Sequence, residues 1–547
     1  MAQTPIVVSW QDLLGHSHGE SLTVHGDPTA DPDTPVVILL HGTNGTIADM
    51  SNPAVHPGWT YDHKTPIPNP TPRGTHGYPG VGIWGWSLDG QLPPPQGWQP
   101  FLDANGFLTL NYAQTEPAGT LAGPSSTQSS DPVTELDAVV RATIAAFPGR
   151  RLAFVTHSRG GILLRTWLVA HGRDAAVAPR LSRAVMLAAP NQGSDIANIA
   201  VTIDNGASGL ESVLGPIPPL QWLVDQTNSP AYKDYEVGSP FLASLAKAEP
   251  VPGLAIDTFG GTSPALTRVH EWVFTASSLV PNFHLHGFQL TVDFTWATWD
   301  DPVLGIRTLA NDIGAGVPEL TAGKGDVLVA DASARLPFST HHSHPVNHAE
   351  ALWDTAVLAD GLGVLKAAHG APAVSVDDCW LALSNLPARV NPGQAFTVSV
   401  TVANTGTTTL DGACSFVVDD GHGHASWGTA ARPLSVSVAR GKSATVSLSL
   451  TAPSTGGTIG LQVRLKRTAP FGHAASASLT VQTQTALCQQ LAAQLAQAQE
   501  AYELARSEEG ELNEDGKPEY PAAAQNASRA KAAIDRIRAQ MAANGCP

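Results

Sequence analysis

The sequence predicts a chain in three parts: an α/β domain with a mainly parallel sheet flanked by helices, an all-β sandwich, and a C-terminal α-helical hairpin. Three observations predict this order. Short β-branched runs alternate with helical patterns over residues 1–370, and apolar residues recur at every second position over 373–483. Over residues 485–547 they recur every three or four positions. These three ranges are the predicted domains.

The first region alternates strand and helix patterns. The β-branched runs VVILL (36–40) and RLAFVT (151–156) lie on either side of DPVTELDAVVRATIAAF (131–147), which opens with a capping Asp-Pro pair. RAVMLAAP (183–190) follows the next helical pattern, and DTFGG (257–261) is a further strand candidate. Strands that alternate with helices in this way favour a parallel sheet.

Composition bounds the function. With 30 Lys and Arg against 47 Asp and Glu, the net charge is −17, which disfavours a nucleic-acid partner. No apolar run is long enough for a transmembrane anchor. Only 14% of residues are charged, and Gly (51) and Pro (43) are abundant, as in many exported proteins. The opening MAQTPIVVSW lacks a signal-peptide pattern. We expect an extracellular, secreted protein, with a cytoplasmic location as the alternative.

All four cysteines lie in the last third of the chain, outside any CxxC spacing, so two structural disulfides are expected. Folding the hairpin brings Cys488 and Cys546 to the same end in space, where a bond is geometrically natural. The alternative for Cys488 and Cys546 is a pair of unbonded, buried thiols. Cys379 and Cys414 are candidates to tie two strands of the sandwich.

A candidate nucleophile lies in AFVTHSRGGILL, where a strand pattern runs into Ser158 and an apolar helix follows at once. A nucleophilic serine needs a tight turn, small neighbours and a helix N-terminus beside it. Gly160 meets this need, whereas Thr156 occupies the position usually filled by glycine. The alternative interpretation is a serine that only caps the helix.

Several segments resemble bacterial lipases and esterases of the α/β-hydrolase fold, over about residues 33–360. They are VVILLHGTNGT (36–46), with His41-Gly42 after a strand, the Ser158 segment, and LAAPNQGSDIA (187–197). The resemblance implies oxyanion donors at the backbone N–H groups of Thr43 and Arg159. Separately, LPARVNPGQAFTVSVTVANTG resembles immunoglobulin-like modules appended to extracellular enzymes, so the sandwich is expected to be immunoglobulin-like.

The acid and the base follow in the chain order Ser, Asp, His. TAGKGDVLVADASARL supplies Asp326, in a segment similar to the acid loop of those lipases, and PVNHAEAL supplies His348. Asp331 is the alternative acid and His344 the alternative base. A metal site is an alternative use of the clustered histidines His341, His342, His344 and His348.

No organic cofactor and no metal are assigned. Some lipases of this group carry a calcium-binding carboxylate two residues after the histidine, and Glu350 stands at that position in place of aspartate. Structural calcium is therefore a weak expectation from the resemblance.

Two insertions bear on substrate, at about 51–100 and 195–255. The first is rich in Pro and Gly, is expected to be irregular, and carries Trp59, Trp84, Trp86 and Trp98. These rings either pin the loop to the core or form an apolar wall of an acyl-binding cleft. Residues 195–225 form either a lid or an ordinary capping subdomain.

Together these features predict a serine carboxylic ester hydrolase, a lipase or esterase that works through an acyl-enzyme. The expected partner is a hydrophobic or polymeric ester, such as an acylglycerol or polyester, or its surface. The same triad also suits an amidase or an acyltransferase. The rival from another class is a non-catalytic surface-binding or adhesion protein on a hydrolase scaffold. No oligomeric state is predicted.

Overall fold

A computed structural model of the chain separates it into two compact units, Met1–Val376 and Asp377–Pro547. The structure describes residues 3–43, 45–53, 96–123, 131–198, 230–248, 250–263, 317–321, 323–326, 328–424, 427–428, 432–482, 484–511 and 520–546, together with the backbone of 269–282 and 287–299.

Ten strands and seven helices are described in the first unit. The strands are β1 (Gln3–Gln11), β2 (Ser17–His25), β3 (Val36–Leu40), β4 (Leu108–Asn111), β5 (Leu152–His157), β6 (Leu181–Leu187), β7 (Ala255–Gly261), β8 (Val269–Asn282), β9 (Gly287–Trp299) and β10 (Thr340–His344). The helices are α1 (Ile47–Ser51), α2 (Trp98–Ala104), α3 (Pro132–Ala146), α4 (Arg159–His171), α5 (Pro240–Ala248), α6 (Asp331–Ala334) and α7 (Thr355–Lys366).

Eight of these strands form one mixed sheet in the order β1-β2-β4-β3-β5-β6-β7-β10. The six strands from β4 to β10 are parallel, whereas β1 and β2 add an antiparallel edge. Every residue of β3 is buried, as expected for a central parallel strand. The strands predicted around residues 36, 151, 183 and 257 are all present, within two residues of the expected starts. An α/β fold with a mainly parallel sheet is therefore confirmed.

The helix predicted over 131–147 spans Pro132–Ala146. Asp131 caps it by accepting the backbone N–H of Val133 at 3.1 Å, and Pro132 occupies the first turn, where its missing N–H costs nothing. Val139 and Val140 are buried on its inner side. Local capping and apolar spacing thus act together in this helix.

The expectation that 51–100 is wholly irregular is wrong at both ends, because α1 ends at Ser51 and α2 begins at Trp98. Trp98 is fully buried and donates its indole N–H to the carbonyl oxygen of Ala351 at 3.3 Å. Its ring lies against Gly361 of α7. Trp98 is therefore a core residue, while Trp59, Trp84 and Trp86 lie outside the described residues.

The second unit contains a mostly antiparallel β domain and two long helices. Its strands are β11 (Cys379–Ser384), β12 (Arg389–Val390), β13 (Ala395–Asn404), β14 (Ser415–Asp419), β15 (Arg432–Pro433), β16 (Ser443–Thr451), β17 (Gly457–Lys466) and β18 (Pro470–Val481). They are connected in the order β15-β14-β17-β18-β11-β13-β16, with β12 beside β18. Alternate residues of β13 and β16 point into one hydrophobic core, which explains the period of two in the sequence.

The helices α8 (Gln484–Glu509) and α9 (Ala523–Ala543) pack against each other, and Cys488 is bonded to Cys546. This disulfide confirms one expected pairing. The other expectation is wrong, because Cys379 and Cys414 are buried free thiols. Cys379 begins β11, Cys414 precedes β14, and both belong to the hydrophobic core of the β domain, where they pack as apolar side chains. Burial in the core raises the pKa of both thiols.

None of the helices in the described ranges has both the length and the apolar character needed to cross a bilayer.

The contact between Trp98 and α7 gives a stability prediction with a matched control. A Cβ on residue 361 would lie 2.3 Å from the buried Trp98 ring, whereas one on residue 363 would meet nothing within 4 Å. We expect Gly361→Ala to lower the free energy of unfolding by about 1–3 kcal/mol through overpacking. Gly363→Ala should instead raise it by about 0.5–1 kcal/mol through helix propensity. Denaturant unfolding of both variants checks this, and equal effects would contradict the packing described.

Candidate active site

The chemistry-bearing segments collect at one edge of the first sheet, because the carboxyl ends of parallel strands meet there. Gly42 and Thr43 follow β3, Ser158 follows β5, and His348 follows β10 by four residues. Asp326 lies over the end of β7: a Cβ on Gly261 would be 2.5 Å from the Cβ of Asp326. Topology alone therefore assembles residues that are far apart in the sequence.

Ser158 occupies a strained turn between β5 and α4. Its φ of 52° and ψ of −124° lie in a region that L-residues rarely adopt. The backbone fixes this turn, since its N–H donates to the oxygen of Leu187 at 2.8 Å and its carbonyl accepts from Gly161 at 2.9 Å. The side chain makes no capping hydrogen bond and is only half-buried. This geometry disagrees with the interpretation of Ser158 as a simple helix cap.

The turn needs its glycines for close packing. A Cβ on Gly160 would lie 2.6 Å from the carbonyl oxygen of Leu40, and one on Gly161 would lie 2.5 Å from the Cβ of Ala189. The same Gly161 position leaves room for Thr156, whose Oγ1 would be 3.3 Å from that added Cβ. A threonine therefore fits two residues before Ser158, where a glycine is usual, because the second glycine of the pair makes space for it.

Asp326 and His348 form a buried hydrogen-bonded pair. The Nδ1–H of His348 donates to Asp326 Oδ2 at 3.0 Å, and the two side chains are 7% and 1% exposed. The other oxygen of Asp326 accepts the backbone N–H groups of Leu328 at 3.0 Å and Val329 at 2.7 Å. The backbone N–H of His348 also donates to the Asp326 carbonyl at 2.9 Å. This pairing puts the proton on Nδ1 and leaves Nε2 of neutral His348 as an acceptor.

His157, the residue before Ser158, connects to the loop of His348. Its Nε2–H donates to the carbonyl oxygen of His348 at 2.9 Å, and the two ring centroids are 4.7 Å apart. His157 immediately precedes Ser158 in the chain. The loop that carries the candidate base is thereby attached to the turn that carries the candidate nucleophile.

The alternative acid and base lie elsewhere. Each histidine of the cluster faces a different carboxylate: His341 with Asp331 at 3.0 Å, His342 with Asp257 at 3.2 Å, and His344 with Asp360 at 3.2 Å. Within the part of the chain that the structure describes, no group of three or more His, Cys, Asp or Glu side chains is arranged to hold a metal. Asp331 is therefore the partner of His341 and does not contact His348.

The carboxylate considered for calcium serves a local turn. Glu350 accepts the backbone N–H of Asn347 at 2.9 Å and is largely buried. This bond uses the carboxylate within its own loop, and no other carboxylate joins it in a ligand set among the described side chains. Structural calcium stays a prediction of the resemblance.

The peptide between Gly42 and Thr43 has a fixed orientation. Its carbonyl oxygen accepts from His41 Nδ1–H at 3.0 Å and from the backbone N–H of Gly45 at 3.2 Å. The backbone N–H of Gln114 donates to His41 Nε2 at 3.1 Å, which selects this neutral tautomer. Because C=O and N–H of one trans peptide point in opposite directions, the Thr43 N–H faces away from His41.

Desolvation keeps His41 uncharged: it lowers the pKa of this buried imidazole to about 4, against a favourable hydrogen bond to Gly42. Gln114 also donates its side-chain Nε2–H to the carbonyl oxygen of His41 at 2.9 Å. Sequence analysis did not identify Gln114, and nothing in its local pattern marks it.

The backbone N–H groups of Thr43 and Arg159 remain the predicted oxyanion donors. Among the described residues, the backbone N–H groups of Thr43 and Arg159 have no hydrogen-bond acceptor in the protein. The Arg159 side chain is fully buried and donates to the side chain of Gln114 and to the carbonyl oxygens of Glu116 and Gly119. Its guanidinium therefore lies in the protein interior, while its backbone N–H opens the first turn of α4.

Glu319 is a buried carboxyl group that sequence analysis missed. Its Oε1 accepts the backbone N–H of Asp195 at 2.9 Å, and its Cα packs so closely on Gly325 that a Cβ there would lie 2.4 Å away. The pKa of Glu319 is raised to about 7, mainly by desolvation and to a smaller extent by the charges of Asp195 and Asp326. An acidic group thus lies beneath the loop that carries Asp326.

Comparison with known proteins gives matches at the level of solved structures only. No protein-family model and no curated protein sequence matches the chain significantly. A lipase of Bacillus licheniformis in its mature form aligns over 62% of this chain and 96% of its own, with 18% identity and a TM-score of 0.34. The propeptide form of that lipase aligns over 84% and 96%, with 15% identity and a TM-score of 0.35. A carboxylesterase of Bacillus subtilis aligns over 67% and 92%, with 13% identity and a TM-score of 0.29.

Glu319 gives a pH-dependent stability prediction. Its raised pKa means that its contribution to stability is fully present below the unfolded value of about 4.5 and is lost as pH rises through about 7. Glu319→Gln keeps the acceptor for Asp195 and never ionises. At pH 8.5 we expect the substitution to raise the free energy of unfolding by about 1–3 kcal/mol, and the melting temperature with it. At pH 5 we expect little change in either quantity. The exposed Glu503→Gln is the control, and the same shift at both pH values would contradict the raised pKa.

Proposed function

We propose that this chain is a serine carboxylic ester hydrolase of the α/β-hydrolase type. One observation carries the proposal: a buried, hydrogen-bonded Asp326–His348 pair is attached through His157 to a serine held in a strained turn at a helix N-terminus. A serine becomes a nucleophile when a buried carboxylate orients an imidazole beside it and its hydroxyl is not used to cap the helix.

In the proposed reaction, Ser158 attacks the ester carbonyl while Nε2 of His348 removes the hydroxyl proton. Asp326 holds the Nδ1–H tautomer and stabilises the imidazolium that forms. The negative charge on the tetrahedral intermediate is stabilised by the backbone N–H groups of Thr43 and Arg159. His348 then protonates the leaving alcohol, and water activated by the same imidazole releases the acid from the acyl-enzyme.

The fixed orientation of the two proposed oxyanion donors supports an acyl-transfer reaction at Ser158. The Thr43 N–H is directed by the two hydrogen bonds to Gly42, and the Arg159 N–H lies at the positive end of the α4 dipole. Such donors are set before the substrate arrives, so they need no reorganisation when charge develops. No cofactor takes part in these steps.

The proposed substrate is a hydrophobic or polymeric ester outside the cell. The Cys488–Cys546 disulfide supports an oxidising compartment, since such bonds are rare in the cytosol. We further propose that the β domain of the second unit is an immunoglobulin-like module that retains the protein on a substrate surface. Its alternating strands leave one polar face to solvent, which suits such a role.

Hydrolysis of p-nitrophenyl esters of increasing acyl length tests the function. We expect the wild-type protein to turn over these esters and Ser158→Ala to lose at least about 10³-fold in kcat/KM, because the nucleophile is gone. Ser182→Ala is the control, since Ser182 is a buried serine of β6 that donates to the oxygen of Leu152 at 2.7 Å, away from the site.

The outcomes separate the rival functions. Equal rates for the wild type and Ser158→Ala would contradict the proposal and favour a non-catalytic surface-binding protein. Faster cleavage of matched anilides would indicate an amidase, and transfer to added alcohols in preference to water would indicate an acyltransferase. A preference for long acyl chains would indicate a lipase.

A further inference from the structure

We propose that the segment Asn191–Asp195 is a positioning element, with Ser194 as its central residue, that sets the acid Asp326 relative to the nucleophile helix. The inference rests on the proposed function, because it assigns a role within the same triad. The segment lies in LAAPNQGSDIA, directly after β6, and it contributes no reacting group itself. It contacts both the nucleophile helix α4 and the loop that carries Asp326.

The first set of contacts is with the nucleophile helix, α4. Arg165 of α4 is 1% exposed, and its guanidinium donates to the backbone oxygen of Asn191 at 2.8 Å. Ser158 is the residue immediately before α4. Ala189, two residues before Asn191, packs against Gly161 of the same helix. The start of the 191–195 segment is therefore fixed to the helix that presents the nucleophile.

The second set of contacts is with the loop that carries the acid, Asp326. The hydroxyl of Ser194 donates to the carbonyl oxygen of Leu328 at 2.7 Å, and Ser194 is 5% exposed. The backbone N–H of the same Leu328 donates to Asp326 Oδ1 at 3.0 Å. A single residue, Leu328, thus links the Ser194 hydroxyl to the Asp326 carboxylate, which orients His348. At the end of the segment, the backbone N–H of Asp195 donates to Glu319, which packs under Gly325.

Further hydrogen bonds attach the segment to the chain that continues from the acid. Asn191 Nδ2 donates to the oxygen of Ala334 at 2.6 Å. Gln192 Nε2 donates to the oxygens of Ala332 at 3.1 Å and Arg335 at 2.9 Å, and its backbone N–H donates to Ser333 at 3.1 Å. Three of these four bonds come from the side chains of Asn191 and Gln192, and one comes from the backbone N–H of Gln192. Neither chain segment belongs to a sheet, so side chains supply most of the connection between them.

The segment itself is rigid at Gly193. The φ of this residue is 101°, and a Cβ there would lie 2.6 Å from the Cα of Val237. The backbone N–H of Ser194 donates to the oxygen of Tyr235 at 2.7 Å. Because Gly193 and Ser194 are held by a second chain segment, their side-chain and backbone contacts to the acid loop are set in advance.

Loss of the Ser194 hydroxyl has a chemical consequence. The carbonyl that accepts from Ser194 belongs to the Leu328–Val329 peptide, and the N–H of that peptide, on Val329, donates to Asp326 Oδ1 at 2.7 Å. Without the Ser194 bond this peptide is held less firmly, so the Asp326 carboxylate is oriented less precisely. A carboxylate that is less well placed stabilises the imidazolium formed on His348 less, so kcat falls. The acidic limb of the kcat/KM profile reports this coupling in the free enzyme.

The test compares Ser194→Ala with Ser182→Ala. Each substitution removes one buried serine hydroxyl that donates to a carbonyl oxygen at 2.7 Å. The Ser194 hydroxyl also accepts the backbone N–H of Ala197 at 3.3 Å, so the loss of stability is expected to be somewhat larger for Ser194→Ala. Rates on p-nitrophenyl butyrate are divided by the fraction of sites that a fluorophosphonate labels. We expect Ser194→Ala to lower kcat about tenfold with KM nearly unchanged, and to shift the acidic limb of kcat/KM to lower pH. Ser182→Ala should leave both at wild-type values.

Two further variants keep the result decisive. Ser194→Thr retains the hydroxyl and should restore most of kcat and the position of the acidic limb. Gln192→Ala removes two bonds from an exposed side chain and should lower kcat about two- to threefold even if Ser194→Ala does not fold. Wild-type kcat and an unshifted limb in folded Ser194→Ala, or wild-type kcat in Gln192→Ala, would overturn the inference. If wild type itself lacks activity and labelling, the proposed function fails instead.

Discussion

The hydrogen bond between Asp326 and His348 is the interaction on which the rest of the site depends. A buried carboxylate is stable only when its oxygens are satisfied, and here two backbone N–H groups and the imidazole N–H satisfy them. The same bonds fix the imidazole in the tautomer that leaves Nε2 free to accept a proton. The same set of contacts therefore holds the loop and sets up the catalytic role proposed for His348.

The fold supplies this arrangement by leaving polar groups at one sheet edge and then holding them with buried polar neighbours. His41 is kept neutral by desolvation and directs the Gly42–Thr43 peptide, while Arg159 is satisfied by oxygens of the 114–119 chain segment. Glu319 lies under the acid loop with a pKa raised to about 7. Each of these groups is costly to bury, and each one fixes a backbone segment that the proposed chemistry uses.

Sequence reasoning predicts the elements whose cause is local. The apolar period and the Asp-Pro start define α3, the β-branched runs define β3 and β5, and the hairpin spacing brings Cys488 to Cys546. It fails where the cause is non-local. Nothing in the sequence distinguishes cysteines that share a core as free thiols from cysteines that are bonded. Cys379 and Cys414 are both buried in the core of the β domain without a bond, so the predicted second disulfide is wrong. Gln114 and Glu319 gain their roles only from neighbours more than 40 residues away, and a single sequence carries no signal for either.

The pairing of His348 with Asp326, and of His341 with Asp331, is tested most directly by comparing two isosteric substitutions in one assay. In Asp326→Asn the amide must keep its oxygen toward Leu328 and Val329, so its NH₂ faces His348 Nδ1 and imposes the wrong tautomer. The account predicts a loss of about 10³- to 10⁴-fold in kcat on p-nitrophenyl esters for Asp326→Asn, with near wild-type kcat for Asp331→Asn. A large loss in Asp331→Asn together with an active Asp326→Asn would contradict it.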